Sequence, residues 1–459
     1  MKLKRATITL VSASIVVMAG LVVLPTTASA SPTTSLWVNS GATVSATGRH
    51  NSCTSPGYTT VQSAIDAAAS GATIHVCSAA DPYVEQLTIT QPVSLVAAGT
   101  GVTVALPSAD ANSPTLDSTT ACDAADLASA GHQANEDEIS ICTAGTVKIT
   151  GITVQALWPA NTCYDNMYGI LVAGGADLKM TDSTVNGAGG SPTFDGCQGG
   201  VGIEVGMAWS TPVEVGHATL DDVTVDQYQK NGITVDGAGS TATIDDATVT
   251  TSPTDQLAQN GIQISNGARG KIVSSTISGD ECNISAPTCG SDSQSNAQST
   301  GVLFYGAAPG TSVTHSTISG SDIGVYSYSM AAVAPTTPNA TVSNDVLNGD
   351  RYEAVALDQG STVVSKDTIT GGDVGIQVLQ YAGQAYGVTA VAKNDTISGM
   401  SVAAAQISSD DAASGDIGGS FLITNSKISG NPANATVFGS VQDNSPAYAP
   451  YAETLTKDS

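Results

Sequence analysis

Two acidic residues, Glu204 and Asp236, stand in neighbouring copies of a repeated Gly-Ile-x-Val phrase. If each phrase is a strand with Ile and Val facing inward, the second and fourth residues after the glycine face outward. Glu204 and Asp236 then lie on one face as diagonal neighbours, about 7–8 Å apart. That distance falls within the separation of about 6.5–9.5 Å found for the carboxyl pair of inverting glycosidases. The pair is a candidate for acid and base catalysis, and the alternative is two solvated carboxylates on an acidic face.

Aromatic and acidic residues occupy the same outward positions in later copies of the phrase, namely Tyr305, Tyr326, Tyr328 and Asp358. Tyrosine rings on adjacent strands can stack on sugar rings, or they can stack on one another and stabilise the sheet. We therefore assign these four residues as candidate ligand-binding residues.

A second group of aromatic residues falls in the segments between repeats: Trp158, Tyr164, Tyr168, Phe194 and Trp209. Loops held on a rigid scaffold often carry binding residues, and exposed Trp and Tyr suit that role. Trp158, Tyr164 and Trp209 join the candidate binding residues. The alternative is a small satellite core beneath the loops.

The elements that must position these residues follow from internal repetition. The Gly-Ile-x-Val phrase alternates with a second phrase of two short strands joined by two polar residues, as in Ala242-Thr-Ile-Asp-Asp-Ala-Thr-Val249. Asp, Asn and Ser suit such tight corners because they tolerate left-handed backbone angles. Three short strands per period predict an all-β fold: a single-stranded parallel β-helix of about a dozen coils. A β-propeller would need four strands in each blade, which the period does not contain.

The ends of the chain differ from the repeats. Residues 1–30 resemble an export signal with a cleavage site at Ala28-Ser29-Ala30, and the alternative is an uncleaved anchor. Thr59 to Ala69 has apolar residues at helical spacing and predicts an N-terminal cap helix. We assign 31–57 to an N-terminal segment, 58–430 to the β-helix, and 431–459 to a C-terminal cap or tail.

The charge of the chain limits its partners. The 459 residues include 40 Asp and Glu against 14 Lys and Arg, giving a net charge of −26. Nucleic acids and anionic membranes attract Lys and Arg, so neither is expected as a partner. Charged residues make up only 12% of the chain, which suits stacked coils where like charges would repel.

Eight cysteines fit an exported protein with structural disulfides. Their spacing favours pairing between nearest neighbours, although other connectivities are open: Cys53–Cys77, Cys122–Cys142, Cys163–Cys197 and Cys282–Cys289.

The start of the repeat region resembles the opening of pectin methylesterases. The matching residues are Tyr58-Thr-Thr-Val-Gln-Ser-Ala-Ile-Asp-Ala-Ala, Gly71-Ala-Thr-Ile-His-Val and Tyr83-Val-Glu-Gln-Leu-Thr-Ile. The sequence is also similar to the wider pectate-lyase-like superfamily, which implies a right-handed β-helix with saccharide along the face of the Gly-Ile-x-Val strands. The resemblance covers most of residues 58–430. Glu85 lies in this structural phrase, and no catalytic residue is carried over.

The catalytic phrases of the related enzymes do not follow this opening. Methylesterase, polygalacturonase and alginate epimerase signatures are missing, as are calcium-binding nonapeptide repeats. Lyases of this fold usually need a Lys or Arg base, but the chain after the export signal has only Arg49, Arg269 and Arg351 as arginines. Arg269 and Lys271 share a strand face, which fits a surface pair. Calcium can bind acidic surfaces, but no ligand spacing specifies a site.

These observations predict a secreted β-helix protein that binds a polysaccharide or a cell-surface glycan, with no membrane contact after signal cleavage. The alternative is a polysaccharide hydrolase or lyase acting at Glu204 and Asp236. An open groove around this pair would favour catalysis, and burial beneath loops would argue against it.

Overall fold

A computed structural model describes residues 35–44, 50–107, 136–158, 167–190, 199–251, 259–282, 299–331, 336–380, 386–409 and 420–439. The predicted export signal, Tyr164 and four of the cysteines (Cys122, Cys163, Cys197 and Cys289) lie outside these residues.

The described chain is almost entirely strands, with one short helix, α1 (Val61–Ala67). The strands in chain order are β1 (Ser35–Val38), β2 (Ala72–Cys77), β3 (Tyr83–Val84), β4 (Leu87–Ile89), β5 (Val93–Ala98), β6 (Val102–Ala105), β7 (Glu136–Cys142), β8 (Thr146–Thr150), β9 (Ile152–Trp158), β10 (Met167–Ala173), β11 (Ala176–Gly190), β12 (Val201–Val205), β13 (Gly216–Asp226), β14 (Asn231–Asp236), β15 (Thr241–Asp245), β16 (Thr248–Thr250), β17 (Asn260–Ser265), β18 (Arg269–Val273), β19 (Thr276–Ser278), β20 (Thr300–Tyr305), β21 (Thr311–Thr314), β22 (Thr317–Ser319), β23 (Ile323–Tyr328), β24 (Ala340–Ser343), β25 (Val346–Asn348), β26 (Glu353–Asp358), β27 (Gly360–Ser365), β28 (Thr368–Thr370), β29 (Val374–Gln380), β30 (Val388–Lys393), β31 (Thr396–Ser398), β32 (Ala403–Ser409), β33 (Ser420–Thr424), β34 (Lys427–Ser429) and β35 (Ala433–Gly439).

Each coil contributes three strands, as the repeat predicts. In one coil, β14 belongs to a 12-stranded sheet, and β15 and β16 belong to a 23-stranded sheet. Every strand pairs in parallel with its equivalent in the next coil; Ile233 of β14, for example, lies opposite Ile203 and Ile262. We call the 23-stranded sheet the first sheet and the 12-stranded sheet the second sheet. The second sheet's 12 strands agree with the expected dozen coils.

The first sheet forms two sides of each coil. Its two rows of strands are joined by β11 and β13, which are long enough to run through both rows. Thus β13 pairs with β15 along its first half and with β16 along its second half. The apolar residues of all three sides meet in one continuous core along the coil axis.

The glycine that begins the Gly-Ile-x-Val phrase lies inside the coil. A Cβ atom on Gly232 would lie 2.5 Å from Val249 Cγ1 and 2.6 Å from the carbonyl oxygen of Gly261. Side-chain atoms do not fit at such distances, so the crowding of neighbouring coils explains why the phrase starts with glycine.

The tight corners between the two rows of the first sheet have the predicted polar residues in the left-handed region, such as Asp246 at φ 50° and Asn394 at φ 61°. The residue that follows each of them is buried. In three consecutive coils it is an aspartate, Asp345, Asp367 and Asp395. Each of these carboxyl groups accepts a hydrogen bond from a backbone N–H of the preceding coil; Asp367 Oδ1, for example, accepts from Asp345 N at 2.7 Å. We call these three residues the corner stack.

The predicted cap helix is present as α1, slightly shorter than expected. Thr60 caps its first turn, and Glu85 accepts hydrogen bonds from the backbone N–H groups of Val61 and Gln62 at 2.8 and 2.9 Å. Glu85 therefore holds the helix against the first coils, which agrees with its place in a structural phrase.

Both ends of the stack extend beyond the predicted 58–430 boundaries. At the front, β1 lies within the segment assigned to 31–57 and pairs with β2 of the first coils. At the back, β35 pairs with β32, so the second sheet continues into the segment expected to be a cap or tail.

The Cys53–Cys77 disulfide is present, with the sulfur atoms 2.08 Å apart. Cys142 and Cys282 are also disulfide-bonded. Their expected partners, Cys122 and Cys289, lie outside the described residues, so those pairings stay predictions.

Candidate functional site

The outer face of the second sheet brings Glu204 and Asp236 together. Glu204 of β12 lies directly opposite Thr234 of β14, two residues before Asp236. The Thr234 hydroxyl donates a hydrogen bond to the Glu204 carboxyl group. Both acidic side chains are only 5% exposed, so this is not the open groove that would favour catalysis.

Asp236 holds the segment that covers this part of the face. Its carboxylate accepts hydrogen bonds from Ala208 N at 2.6 Å and from Ser265 Oγ and Asn266 Nδ2 at 2.7 Å each. Ala208 belongs to residues 206–215, whose ends are bridged by backbone hydrogen bonds between Met207 and Glu214. Asp236 is therefore an anchor for this covering segment.

The environment of Glu204 favours its protonated form. Burial, followed by the nearby Asp236 carboxylate, raises the pKa of Glu204 well above its usual range, and the Thr234 hydrogen bond only partly opposes this. Tyr168 lies beside both carboxyl groups, and burial raises its pKa well above 10. Trp209, on the covering segment, donates a hydrogen bond to the Tyr168 hydroxyl and is itself exposed.

A chain of hydrogen bonds links the two acidic residues through side chains that the sequence did not single out. Asn231 donates to Thr234 and Gln263, and Asn260 donates to Asn231 at 2.9 Å. Gln263 donates to Ser265 at 3.0 Å, and Ser265 donates in turn to Asp236. The available signal was Asn231 and Asn260, because asparagine precedes the phrase glycine in two successive copies.

Part of the inserted aromatic group forms the satellite core that was the alternative to a binding role. Tyr168 packs in a buried cluster on the outer face with Leu171, Val201 and Met207, separate from the main core. Trp158 ends β9 in the first sheet, and Tyr164 lies outside the described residues. Their binding roles stay predictions.

The predicted tyrosine group lies further along the outer face. Tyr305 and Tyr328 stack on each other with ring centroids 5.2 Å apart and planes at 28°, and Tyr305 remains 42% exposed. The Tyr326 hydroxyl donates a hydrogen bond of 2.8 Å to Asp358 Oδ2. The four residues therefore form two adjoining pairs.

A network of ion pairs lies at the edge of the outer face, beside the turns that come before the strands of the second sheet. Arg351 pairs with Asp322 at 2.7 Å and with Glu281 at 2.9 Å. The second carboxylate oxygen of Asp322 accepts backbone hydrogen bonds from Cys282 and Ser299, each at 3.0 Å. These two residues flank 283–298, so Asp322 joins both ends of that inserted segment.

In the described part of the chain, no group of three or more His, Cys, Asp or Glu side chains is arranged to hold a metal ion. Nor does any helix within the described ranges have the length and apolar character needed to cross a membrane.

Comparison with known proteins gives one family match: the family described as right handed beta helix region matches residues 212–390. The match to a right-handed β-helix region agrees with the parallel coils that the structure shows. This confirms the predicted fold, including the handedness that the resemblance implied.

Several solved structures are similar to this β-helix. The A-module of mannuronan C-5 epimerase from Azotobacter vinelandii is 13% identical, with a TM-score of 0.47, over 83% of this chain and 93% of that one. A periplasmic alginate epimerase is 8% identical, with a TM-score of 0.46, over 80% of this chain and 76% of the other. A mutant tailspike protein of the E. coli bacteriophage HK620, in complex with a pentasaccharide, is 14% identical, with a TM-score of 0.40, over 82% and 60% of the two chains. No curated protein matches the sequence.

Proposed function

We propose that this β-helix binds a glycan along the outer face of its second sheet. The observation that carries the proposal is the Tyr305–Tyr328 stack, which keeps one ring exposed on an otherwise largely buried face. Exposed aromatic rings bind the apolar faces of pyranose rings, and a ring already stacked on a neighbour loses little conformational freedom on binding.

The stack belongs to a row of equivalent positions that runs along the outer face. Asp236, Ser265, Tyr305, Tyr328 and Asp358 occupy equivalent positions in five consecutive coils. At about 4.8 Å for each coil, this row extends about 19 Å, which is long enough for several sugar rings. The polar members of the row, Asp236, Ser265 and Asp358, are buried and bonded within the protein, so the two tyrosine rings are the part of the row that can contact sugar.

Replacing Tyr305 by serine is expected to weaken glycan binding about tenfold, equivalent to about 1.4 kcal/mol, because the exposed stacking surface is lost. Affinity electrophoresis against a panel of neutral and acidic polysaccharides identifies a ligand for the parent, and titration calorimetry then compares the variants.

Val346→Ser is the matched control. Val346 is 41% exposed, close to the 42% of Tyr305, but it lies in β25 of the first sheet. Its loss should leave binding unchanged. A parent that binds no member of the panel, or equal weakening by both substitutions, contradicts the proposal.

A second candidate function, hydrolysis of a polysaccharide, is favoured by the unequal pair Glu204 and Asp236. Burial raises the pKa of Glu204, so this carboxyl group can hold a proton to donate, and Asp236 beside it accepts three hydrogen bonds. The burial of both residues, and the role of Asp236 as an anchor, place this function second.

If the pair is catalytic, Glu204→Gln is expected to abolish the proton donor and lower hydrolytic activity at least about a hundredfold. Reducing-sugar release from the same polysaccharide panel measures the effect. Gln263→Glu and Asp236→Asn are compared with Glu204→Gln, because each changes the charge of this face while Glu204 stays in place. Equal activity of the parent and Glu204→Gln excludes Glu204 as the acid.

We further propose that the protein acts outside the cell. The Cys53–Cys77 disulfide supports this, because such bonds persist in oxidising compartments. N-terminal sequencing of protein from the culture medium is expected to begin at Ser31. Protein that stays with the membrane and begins at Met1 indicates an anchor instead.

A further inference from the structure

The positive charges of this chain are separated from the outer face of the second sheet. Most of the described lysines and arginines are exposed on strands or corners of the first sheet: Lys148, Lys179, Arg269, Lys271, Lys366, Lys393 and Lys427. Within the described residues, the second sheet has only Lys230 and Arg351 near it, both just before a strand begins.

Both residues come just before their strands begin, whereas the row that contains Tyr305 lies at the far ends of these strands, at Asp236 and Asp358. The Arg351 guanidinium is held by two carboxylates, Asp322 and Glu281, and also donates to the carbonyl oxygen of Cys282 at 2.9 Å. Burial lowers the pKa of Lys230 to about 8, so its amine stays mostly protonated at neutral pH, but it lies at the opposite end of β14 from Asp236.

The face itself carries acidic groups. Asp137, Glu204 and Asp236 surround the Tyr168 hydroxyl at one end, and Asp358 bonds Tyr326 at the other.

A polyuronide carries one carboxylate on each sugar ring. Binding it here would place these charges beside buried carboxyl groups, without arginine, lysine or a metal ion to compensate in the described part of the site. A neutral sugar presents the same rings and hydroxyl groups and avoids this repulsion.

We propose that the glycan bound by the outer face is uncharged, such as a neutral hexose polymer, and that the site discriminates against polyuronides. This inference rests on the proposed glycan-binding function and adds the class of ligand to it.

The test compares each polyuronide with the same polymer after its carboxyl groups have been reduced to primary alcohols. Alginate and polygalacturonate provide two such pairs, and neutral glucan, mannan and galactan complete the set. We expect at least one neutral polymer to bind, and each polyuronide to bind at least tenfold more weakly than the best neutral one in low salt. The difference should narrow in high salt, because counterions screen the repulsion.

The outcomes separate the two proposals. If a polyuronide binds as tightly as the best neutral polymer and Tyr305→Ser weakens it, the outer face binds glycans but the inferred ligand class is wrong. If neutral polymers bind and Tyr305→Ser has no effect on them, the proposed site is wrong. If no polymer binds, both proposals are contradicted.

Discussion

Arg351→Ala is expected to lower the free energy of unfolding by about 3–5 kcal/mol, the usual cost of leaving one member of a buried ion pair without its partner. Asp322 is only 1% exposed, so water cannot replace the guanidinium. Asp322 also joins Cys282 to Ser299, and its destabilisation therefore affects both ends of the inserted segment between them.

Thermal and denaturant unfolding measure this effect, with Lys427→Ala as the control. Lys427 is exposed, and surface substitutions of this kind change stability by about 0.5 kcal/mol or less. The double variant Arg351→Ala with Asp322→Asn should recover part of the loss, since the buried charge of Asp322 is removed and Glu281, the other partner of Arg351, is partly exposed to water. The loss should also be smaller near pH 4, where Asp322 can take up a proton. An Arg351 variant as stable as Lys427→Ala contradicts the ionic role.

The unfolding temperature is expected to fall by about 5 °C or more between pH 5 and pH 9. Burial raises the pKa of Asp345, Asp367 and Asp395 to about 7, about 8 and about 6, from an ordinary 3.8. Backbone hydrogen bonds to each carboxyl group oppose the rise, and the neighbouring carboxylates of the stack add to it for Asp367. Because these carboxyl groups bind a proton more tightly in the folded state, their contribution to the free energy of unfolding is complete below about pH 4. It is lost as the pH rises through about 6–8.

Asp367→Ser tests the corner stack as the source of this dependence. Serine occupies the equivalent corner position in other coils, where Ser275 and Ser316 accept the same kind of backbone hydrogen bond. The variant should be less stable than the parent at pH 5, yet equal or more stable at pH 8. Asp221→Ser, at an exposed site, should leave the pH dependence unchanged. If Asp367→Ser keeps the full pH dependence of the unfolding temperature between pH 5 and pH 9, the corner stack is not the source of that dependence.

The fold could be predicted from the sequence because the same local requirement recurs in every coil. Gly232 begins a phrase since no Cβ fits there, and Asp246 marks a corner since its backbone angle is left-handed. Each signal is weak alone, but the repetition makes the coil unmistakable. The proximity of Glu204 and Asp236 could be predicted from the same strand register.

The surroundings of the pair could not be predicted in this way. The backbone N–H of Ala208 and the side chain of Asn266 reach Asp236 from irregular segments of two different coils, and no period places them. The burial of Glu204 likewise depends on how such segments fold over the face. Tyr305 and Tyr328 lie at repeated positions. Whether their rings stack on each other depends on ring orientation, which the sequence pattern does not set.

The parallel register fixes distances along the face in whole coils. Asp236 and Tyr305 are equivalent positions two coils apart, so their separation along the axis is about 10 Å. Gaining or losing one coil between them would change that separation by about 4.8 Å, with no intermediate value open to the backbone. The spacing between side chains along this face therefore changes only in whole steps, and each step is close to the length of one sugar ring.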